Sequence, residues 1–216
     1  MDRSLVENTA AFVKRTLENA EAGHDWWHIA RVWTNAKLIG SKEPVNMLIV
    51  ELAALLHDIA DSKFHDGDEE IGPKAAVAFL NGLKVDEEVV GHVEEIIRNM
   101  SFKASLGKVE FYSKEMDVVQ DADRLDAIGA IGIARAFTYG GFKNRELYNP
   151  EIPPQLSMSK EEYKTSSAPT INHFYEKLLL LKDKMNTETG NQIAQQRHEF
   201  MEIYLEQFYG EWNGER

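Results

Sequence analysis

Hydrophobic residues recur at helical spacing along most of this chain. One face of the segment Ser4–Ala20 carries four apolar residues at that spacing, namely Val6, Ala10, Val13 and Leu17. A second stripe, which includes Val32 and Ala36, follows Asp25, a residue type that often caps a helix N-terminus. No stretch combines apolar–polar alternation with the turn residues that a sheet requires. The pattern therefore predicts an all-α protein of five to seven helices.

The helical pattern continues through the middle of the chain and returns near its end. Helices are predicted from Pro44 to the vicinity of Asp58, over about 72–80, over 86–100 and, as one long helix, over 115–137. Residues 139–169 hold two glycines and four of the six prolines, and this predicts an irregular excursion. One or two amphipathic helices are predicted over about 170–210. We expect a single domain over residues 1–216.

Composition narrows the class of partner. The formal net charge of −12 argues against binding to a nucleic acid polymer or to an anionic membrane. There is no cysteine, so disulfides, thiolate metal sites and cysteine nucleophiles are excluded. The first twenty residues are unlike a secretory signal, and no apolar run approaches the roughly 18 residues of a membrane span. These features predict a cytoplasmic protein.

A histidine and an aspartate stand side by side inside an apolar run. His57 and Asp58 follow Leu52, Leu55 and Leu56 in the segment ELAALLHDIADSKF. An imidazole and a carboxylate are costly to bury without partners. A divalent ion removes that cost because both groups are good ligands for first-row metals. A hydrogen-bonded core pair is the alternative, and it is the more common fate of an isolated His-Asp dipeptide.

Four fragments in order resemble one protein family. They are GHDWWHIARV, ALLHDIAD, SFK and DADRLDAIG, and they span roughly residues 23–136. This order is similar to that of the HD-domain superfamily of metal-dependent phosphohydrolases, and it most resembles small bacterial members that act on nucleotides. The resemblance implies an HD-type helical bundle with a core over about 23–136, followed by the excursion and by C-terminal helices.

The resemblance also implies a ligand set. The four matching positions are His28, His57, Asp58 and Asp123. Two nitrogens and two carboxylates suit one divalent ion, which could be manganese, nickel, cobalt, iron, zinc or magnesium.

Two ligand positions have competitors. His24 lies four residues before His28, a spacing that suits a helical metal pair, but His24 falls before the helix if Asp25 is its cap. Asp121 and Asp123 point about 200° apart on a helix, so periodicity leaves the choice between them open. The Ala-Asp-Arg-Leu context of the family favours Asp123.

Further residues are candidates for catalysis and for binding phosphate, and the resemblance supports Asp61 and Lys103 among them. Asp61 follows His57 by one turn and is the candidate base, acting beside Asp58, although a solvated helix end explains Asp61 equally well. The candidates for binding substrate phosphate or its surroundings are Lys103, Arg31, Arg124 and His24. Each of these cations taken alone is more often an ordinary surface charge.

These features predict a hydrolase of nucleotides that uses a metal-activated water, and a nucleoside triphosphate pyrophosphohydrolase fits best. A 5′-nucleotidase or a phosphodiesterase would use the same ligands. A di-iron oxygenase is the alternative of another class, with extra ligands from His24, His65 or His92, and a non-catalytic metal-binding sensor is a third. The expected partner is a small nucleotide or phosphate, and a homodimer is compatible with the sequence.

Overall fold

The computed structural model describes residues 2–18, 20, 25–60, 70–100, 111–158, 162 and 166–216. Within these ranges every regular element is helical, which confirms the all-α prediction. Nine α-helices and two short 3₁₀ helices are present there, more than the five to seven expected. The chain divides into two compact units, Met1–Asp123 and Arg124–Arg216. The expectation of a single domain remains a prediction.

Five helices lie wholly within the first unit. They are α1 (Asp2–Thr16), α2 (Trp26–Gly40), α3 (Met47–Leu56), α4 (Ile71–Gly82) and α5 (Glu87–Asn99). Helix α6 (Lys114–Asp126) belongs to this unit up to Asp123. The predicted cap is confirmed, since the Asp25 carboxylate accepts a hydrogen bond from the backbone N–H of His28 at the start of α2.

Helix α3 forms the centre of the first unit. It packs against α1, α2 and α5, and the side chains of Leu52, Leu55 and Leu56 are fully buried. A short helix that is apolar on all sides is stable only inside a protein. The facing surface of α2 contributes Ile29 and Val32, which are also fully buried. The core therefore holds the C-terminal end of α3 firmly, and that end carries the His-Asp pair.

The second unit contains three further α-helices, α7 (Gly129–Phe142), α8 (Asn172–Glu176) and α9 (Glu188–Trp212). The two 3₁₀ helices, Leu178–Leu180 and Lys182–Lys184, lie between α8 and α9. Helix α9 packs against α7, and its Tyr204 contacts the rings of Phe137 and Phe174. These aromatic contacts and the buried Met201 form the core of this unit.

The long helix predicted over 115–137 is wrong, because the chain breaks it after Asp126 and starts again at Gly129. Gly129 has φ of 74°, in the left-handed region that glycine adopts without strain. A Cβ on Gly132 would lie 2.2 Å from the carbonyl oxygen of Ala127, so only glycine permits this close approach. The small residues of the segment thus form a tight helix–helix junction.

The irregular excursion begins later than predicted, because residues 139–142 still belong to α7. Gly140 lies within this helix, and its missing side chain lets the helix approach Thr170, whose Oγ1 would lie 2.1 Å from a Cβ on Gly140. Residues 143–158 and 166–171 contain turns and bends without regular helix. No helix in the described part of the chain is long and apolar enough to cross a membrane.

Candidate metal centre

His28 lies in the first turn of α2, held there by the cap. The Asp25 carboxylate accepts the His28 backbone N–H at 2.9 Å, which fixes where the helix begins. The His28 side chain is only 4% exposed. A nearly buried imidazole needs a partner for each ring nitrogen that water does not reach.

His57 and Asp58 follow directly after α3. The His57 ring Nδ1 lies 2.9 Å from the carbonyl oxygen of Ala54. Since a carbonyl can only accept, the hydrogen-bond network assigns the proton of neutral His57 to Nδ1 and leaves a lone pair on Nε2. A hydrogen bond of this kind is the usual way in which a metal-binding histidine is oriented.

Three of the predicted ligands come together. His28, His57 and Asp58 each offer one donor atom, and these atoms all lie within 4.8 Å of one another. The two imidazole rings meet edge to face with their centroids 5.4 Å apart. Asp123 lies beside them on α6, with its Oδ1 3.6 Å from Nε2 of His28 and 4.0 Å from Nε2 of His57.

The facing atoms fit a bound cation. Neutral His57 presents a lone pair on Nε2, and the nearby Oδ1 of Asp123 is also an acceptor. Two acceptors about 4 Å apart repel each other unless a cation, a proton or a bridging water lies between them. Imidazole nitrogen and carboxylate oxygen together suit a divalent first-row ion. The donor set therefore fits the expected metal, and the assignment of the ligands remains a prediction.

The side chains of Asp121 and Asp123 differ in their exposure to solvent and in their neighbours. Asp121 is fully buried, whereas the Asp123 side chain is 44% exposed and faces the two histidines. Asp123 is therefore the aspartate of the two that lies beside the imidazoles, and its role as a ligand remains a prediction.

The remaining predicted site residues divide into two groups. His24, Asp61 and Lys103 lie outside the described residues. Arg31 is partly exposed on α2, one turn after His28. In the second unit, Nη1 of Arg124 donates a hydrogen bond to the backbone carbonyl of Lys184 at 2.5 Å. Their roles in substrate binding remain predictions.

Two groups near the centre were missed from sequence. The carbonyl of Ala54 orients His57, and no sequence signal marks a backbone acceptor. Asn35 is buried on α2 and donates to the carbonyl of Ala122, next to Asp123. A signal for Asn35 did exist, because it is a polar residue two turns after His28 within an apolar stripe.

Comparison with known proteins agrees with this geometry. Residues 26–128 match the HD domain family. YpgQ of Bacillus subtilis strain 168 is 40% identical over 203 residues, which cover 93% of this chain and 90% of YpgQ. The crystal structure of an HD-superfamily hydrolase from Bacillus thuringiensis matches with 46% identity and a TM-score of 0.79, covering 99% of both chains.

A ligand complex is among the similar structures. The crystal structure of B. subtilis YpgQ in complex with ADP superposes with a TM-score of 0.77 and 37% identity, covering 97% of this chain and 96% of that one. Both the sequence and the fold are thus similar to those of HD proteins. The chain belongs to the HD-domain superfamily of metal-dependent phosphohydrolases, and it is an enzyme of the hydrolase class.

Proposed function

We propose that this enzyme hydrolyses nucleotides at the centre formed by His28, His57, Asp58 and Asp123, and that it releases pyrophosphate from nucleoside triphosphates. The observation that carries this is the convergence of three donor atoms within 4.8 Å at the end of the buried helix α3. The position of Asp123 beside both imidazoles adds a second carboxylate.

The ligands hold the ion, and the surroundings of His57 and Asp123 determine how the centre is oriented and how substrate reaches it. A divalent ion held here would activate water, neutralise charge on phosphate oxygens and orient the attack. The His57 ring is locked by Ala54, so its Nε2 lone pair is directed without loss of side-chain freedom on binding. The partial exposure of Asp123 keeps one side of the centre open to solvent, from which substrate can approach.

Residues beyond the ligands complete the proposed mechanism. Asp61 takes the proton of the attacking water as a general base. Lys103, Arg31 and Arg124 donate hydrogen bonds to the phosphate oxygens, whose negative charge would otherwise repel the nucleophile. The roles of Asp61 and Lys103 are implied by the family resemblance, and those of Arg31 and Arg124 by their positions in the sequence near predicted ligands.

Support for a nucleotide substrate comes from the relative that was crystallised with ADP. That protein, YpgQ, shares 37% identity with this chain over nearly its whole length. ADP carries the base, ribose and diphosphate parts that a nucleoside triphosphate also has. A nucleotide is therefore the substrate class that the similarity favours over simple phosphate esters.

The oxygenase alternative needs further histidine ligands beside the centre. Of its three candidates, His24 and His65 lie outside the described residues, so only His92 can be compared with the centre. His92 has its Nε2 3.6 Å from Oε2 of Glu115, and it is not a member of the His28–His57–Asp58 group.

The decisive experiment combines a metal panel with a substrate panel. Protein treated with chelator is reloaded with each of the six candidate metals and offered nucleoside triphosphates, nucleoside monophosphates and cyclic dinucleotides. We expect metal-dependent release of pyrophosphate from triphosphates. Release of phosphate from monophosphates would instead identify a 5′-nucleotidase, and no hydrolysis of any substrate with any metal would contradict the proposal.

A matched pair of variants makes this experiment specific. Asp58→Asn removes one ligand charge, and we expect it to lose bound metal and activity together. Asp86→Asn removes a charge at the N-cap of α5, where asparagine caps equally well, and should retain both. Equal activity in the two variants would exclude Asp58 from the centre.

A further inference from the structure

The three helices that carry the predicted ligands are tied to one another in pairs. The connections run from α2 to α6, from α2 to α3, and from the start of α3 to α6. The hydrogen bonds are Asn35 Nδ2 to Ala122 O at 3.3 Å, Trp33 Nε1 to Glu51 Oε2 at 2.8 Å, and Asn46 N to Glu115 Oε1 at 2.8 Å. All three lie within the first unit. Hydrogen bonds depend on direction as well as distance, so these three contacts fix how the helices are aligned against one another.

Of these contacts, that of Asn35 lies nearest the ligands. Asn35 follows His28 by seven residues, so the two side chains lie on the same face of α2 two turns apart. It is 8% exposed within a stripe of buried apolar residues, and burying an amide there is unfavourable without a hydrogen bond. An apolar side chain at this position would fill the core equally well, so the presence of an amide requires its own explanation.

The acceptor of the Asn35 hydrogen bond, the carbonyl of Ala122, explains why an amide is buried at this position. The carbonyl of Ala122 belongs to the same planar peptide as the backbone nitrogen of Asp123. A hydrogen bond from Asn35 to this carbonyl therefore fixes the peptide that begins Asp123 relative to the helix that carries His28. His28 and Asp123 come within 3.6 Å of each other across the same helix pair.

We propose that Asn35 is a positioning residue for the metal centre, which holds α2 against α6 so that the Asp123 carboxylate stays within reach of the metal that His28 binds. This inference rests on the proposed function, in which His28 and Asp123 are both ligands. Asn35 acts through the backbone of Asp123 and contacts neither metal nor substrate. Its hydrogen bond fixes the distance between the two ligands before the ion binds, so the side chains lose less conformational entropy on binding.

A matched pair of buried amides provides the test. Asn35→Leu keeps a buried side chain of similar size and removes the donor. Gln120→Leu does the same on α6, where the buried Gln120 donates to the carbonyl of Met100 at 3.2 Å and ties α6 to the end of α5, which carries no predicted ligand. We expect manganese affinity, measured by calorimetry, to fall about tenfold in Asn35→Leu, the lower end of the range for residues that orient ligands. Gln120→Leu should bind manganese like the wild type.

Stability measurements separate positioning from simple packing. Thermal midpoints of each variant are recorded with chelator and with saturating manganese. A purely structural role lowers both midpoints together and leaves the metal-induced increase unchanged. A positioning role reduces that increase, because a tenfold weaker affinity at a fixed manganese concentration removes about 1.4 kcal/mol of metal-linked stabilisation. Asn35→Ser, whose shorter side chain does not reach α6, should behave like Asn35→Leu and serves if the leucine variant does not fold.

The possible results separate a failure of the positioning role of Asn35 from a failure of the proposed function. If wild-type protein binds manganese and both Asn35 variants bind it equally well, the positioning role is wrong while the metal centre stands. If Gln120→Leu weakens manganese binding as much as Asn35→Leu does, any buried amide has this effect and the specific role is also wrong. If the wild type binds no divalent metal, the proposed function fails and the role of Asn35 fails with it.

Discussion

His173 on α8 gives a prediction about stability and pH. Burial, followed by the positive charges of Lys177 and Arg145, lowers the pKa of His173 from 6.5 to about 3. The histidine therefore stays neutral in the folded protein at a pH where the unfolded chain would already protonate it. The substitution His173→Gln removes this titration, because glutamine is neutral at every pH, and it keeps a polar side chain.

The direction in which His173 changes the folding stability with pH follows from proton linkage. Well above pH 6.5 His173 is neutral in both the folded and the unfolded state and contributes almost no pH dependence. As the pH falls from 6.5 toward about 3, only the unfolded chain gains the proton, so the folded state loses stability. The loss amounts to about 2 kcal/mol at pH 5 and approaches about 5 kcal/mol once the pH is below both values.

Urea unfolding of the wild type and of His173→Gln at pH 7 and pH 5, with chelator present throughout, measures this contribution. The other titrating groups are common to both proteins and cancel in the comparison. We expect the wild type to lose about 2 kcal/mol more than the variant between these two pH values. Between pH 7 and pH 8 the two proteins should change in parallel, which serves as the internal control. An equal loss in both proteins down to pH 5 would refute the assignment of a depressed pKa to His173.

Three further predictions concern the helix junction and the mechanism. In Gly132→Ala the new Cβ would lie 2.2 Å from the carbonyl oxygen of Ala127, so the free energy of unfolding in urea should fall by about 1–3 kcal/mol. The control Gly91→Ala, whose Cβ meets no atom within 4 Å, should be neutral or up to about 1 kcal/mol more stable, and equal effects would exclude the close approach. Asp61→Asn should keep its metal but lose roughly 10²–10⁴ in turnover, whereas a near-normal kcat at full occupancy would show that Asp61 is no base. Lys103→Ala should raise KM, and unchanged kinetic constants would place Lys103 among ordinary surface charges.

The fold class followed from the sequence because helical periodicity is a local property. The cap at Asp25 was predictable for the same reason, since its hydrogen bond reaches only three residues along the chain. The break after Asp126 was not predictable from periodicity. It depends on Gly132 admitting the carbonyl of Ala127, a contact that exists only once the chain has turned.

The candidate centre was predictable to a similar extent. The order of His28, the His57–Asp58 pair and Asp123 pointed to the family, and the structure brings these four side chains near one another. The orientation of His57 by a backbone carbonyl and the contact from Asn35 to Ala122 join groups whose proximity depends on three-dimensional packing. The proposed roles of Asp61 and Lys103 rest on sequence alone, since both lie outside the described residues.

The central claim is that His28, His57, Asp58 and Asp123 together hold one divalent ion. Anomalous scattering at the manganese edge, from crystals grown with Mn²⁺ and the nucleotide product, tests it most directly. We expect a single strong peak coordinated by Nε2 of His28, Nε2 of His57 and the carboxylates of Asp58 and Asp123. A peak on His24 or on Asp121 in place of Asp123, or crystals that bind manganese elsewhere and leave the two imidazoles without a peak, would contradict it.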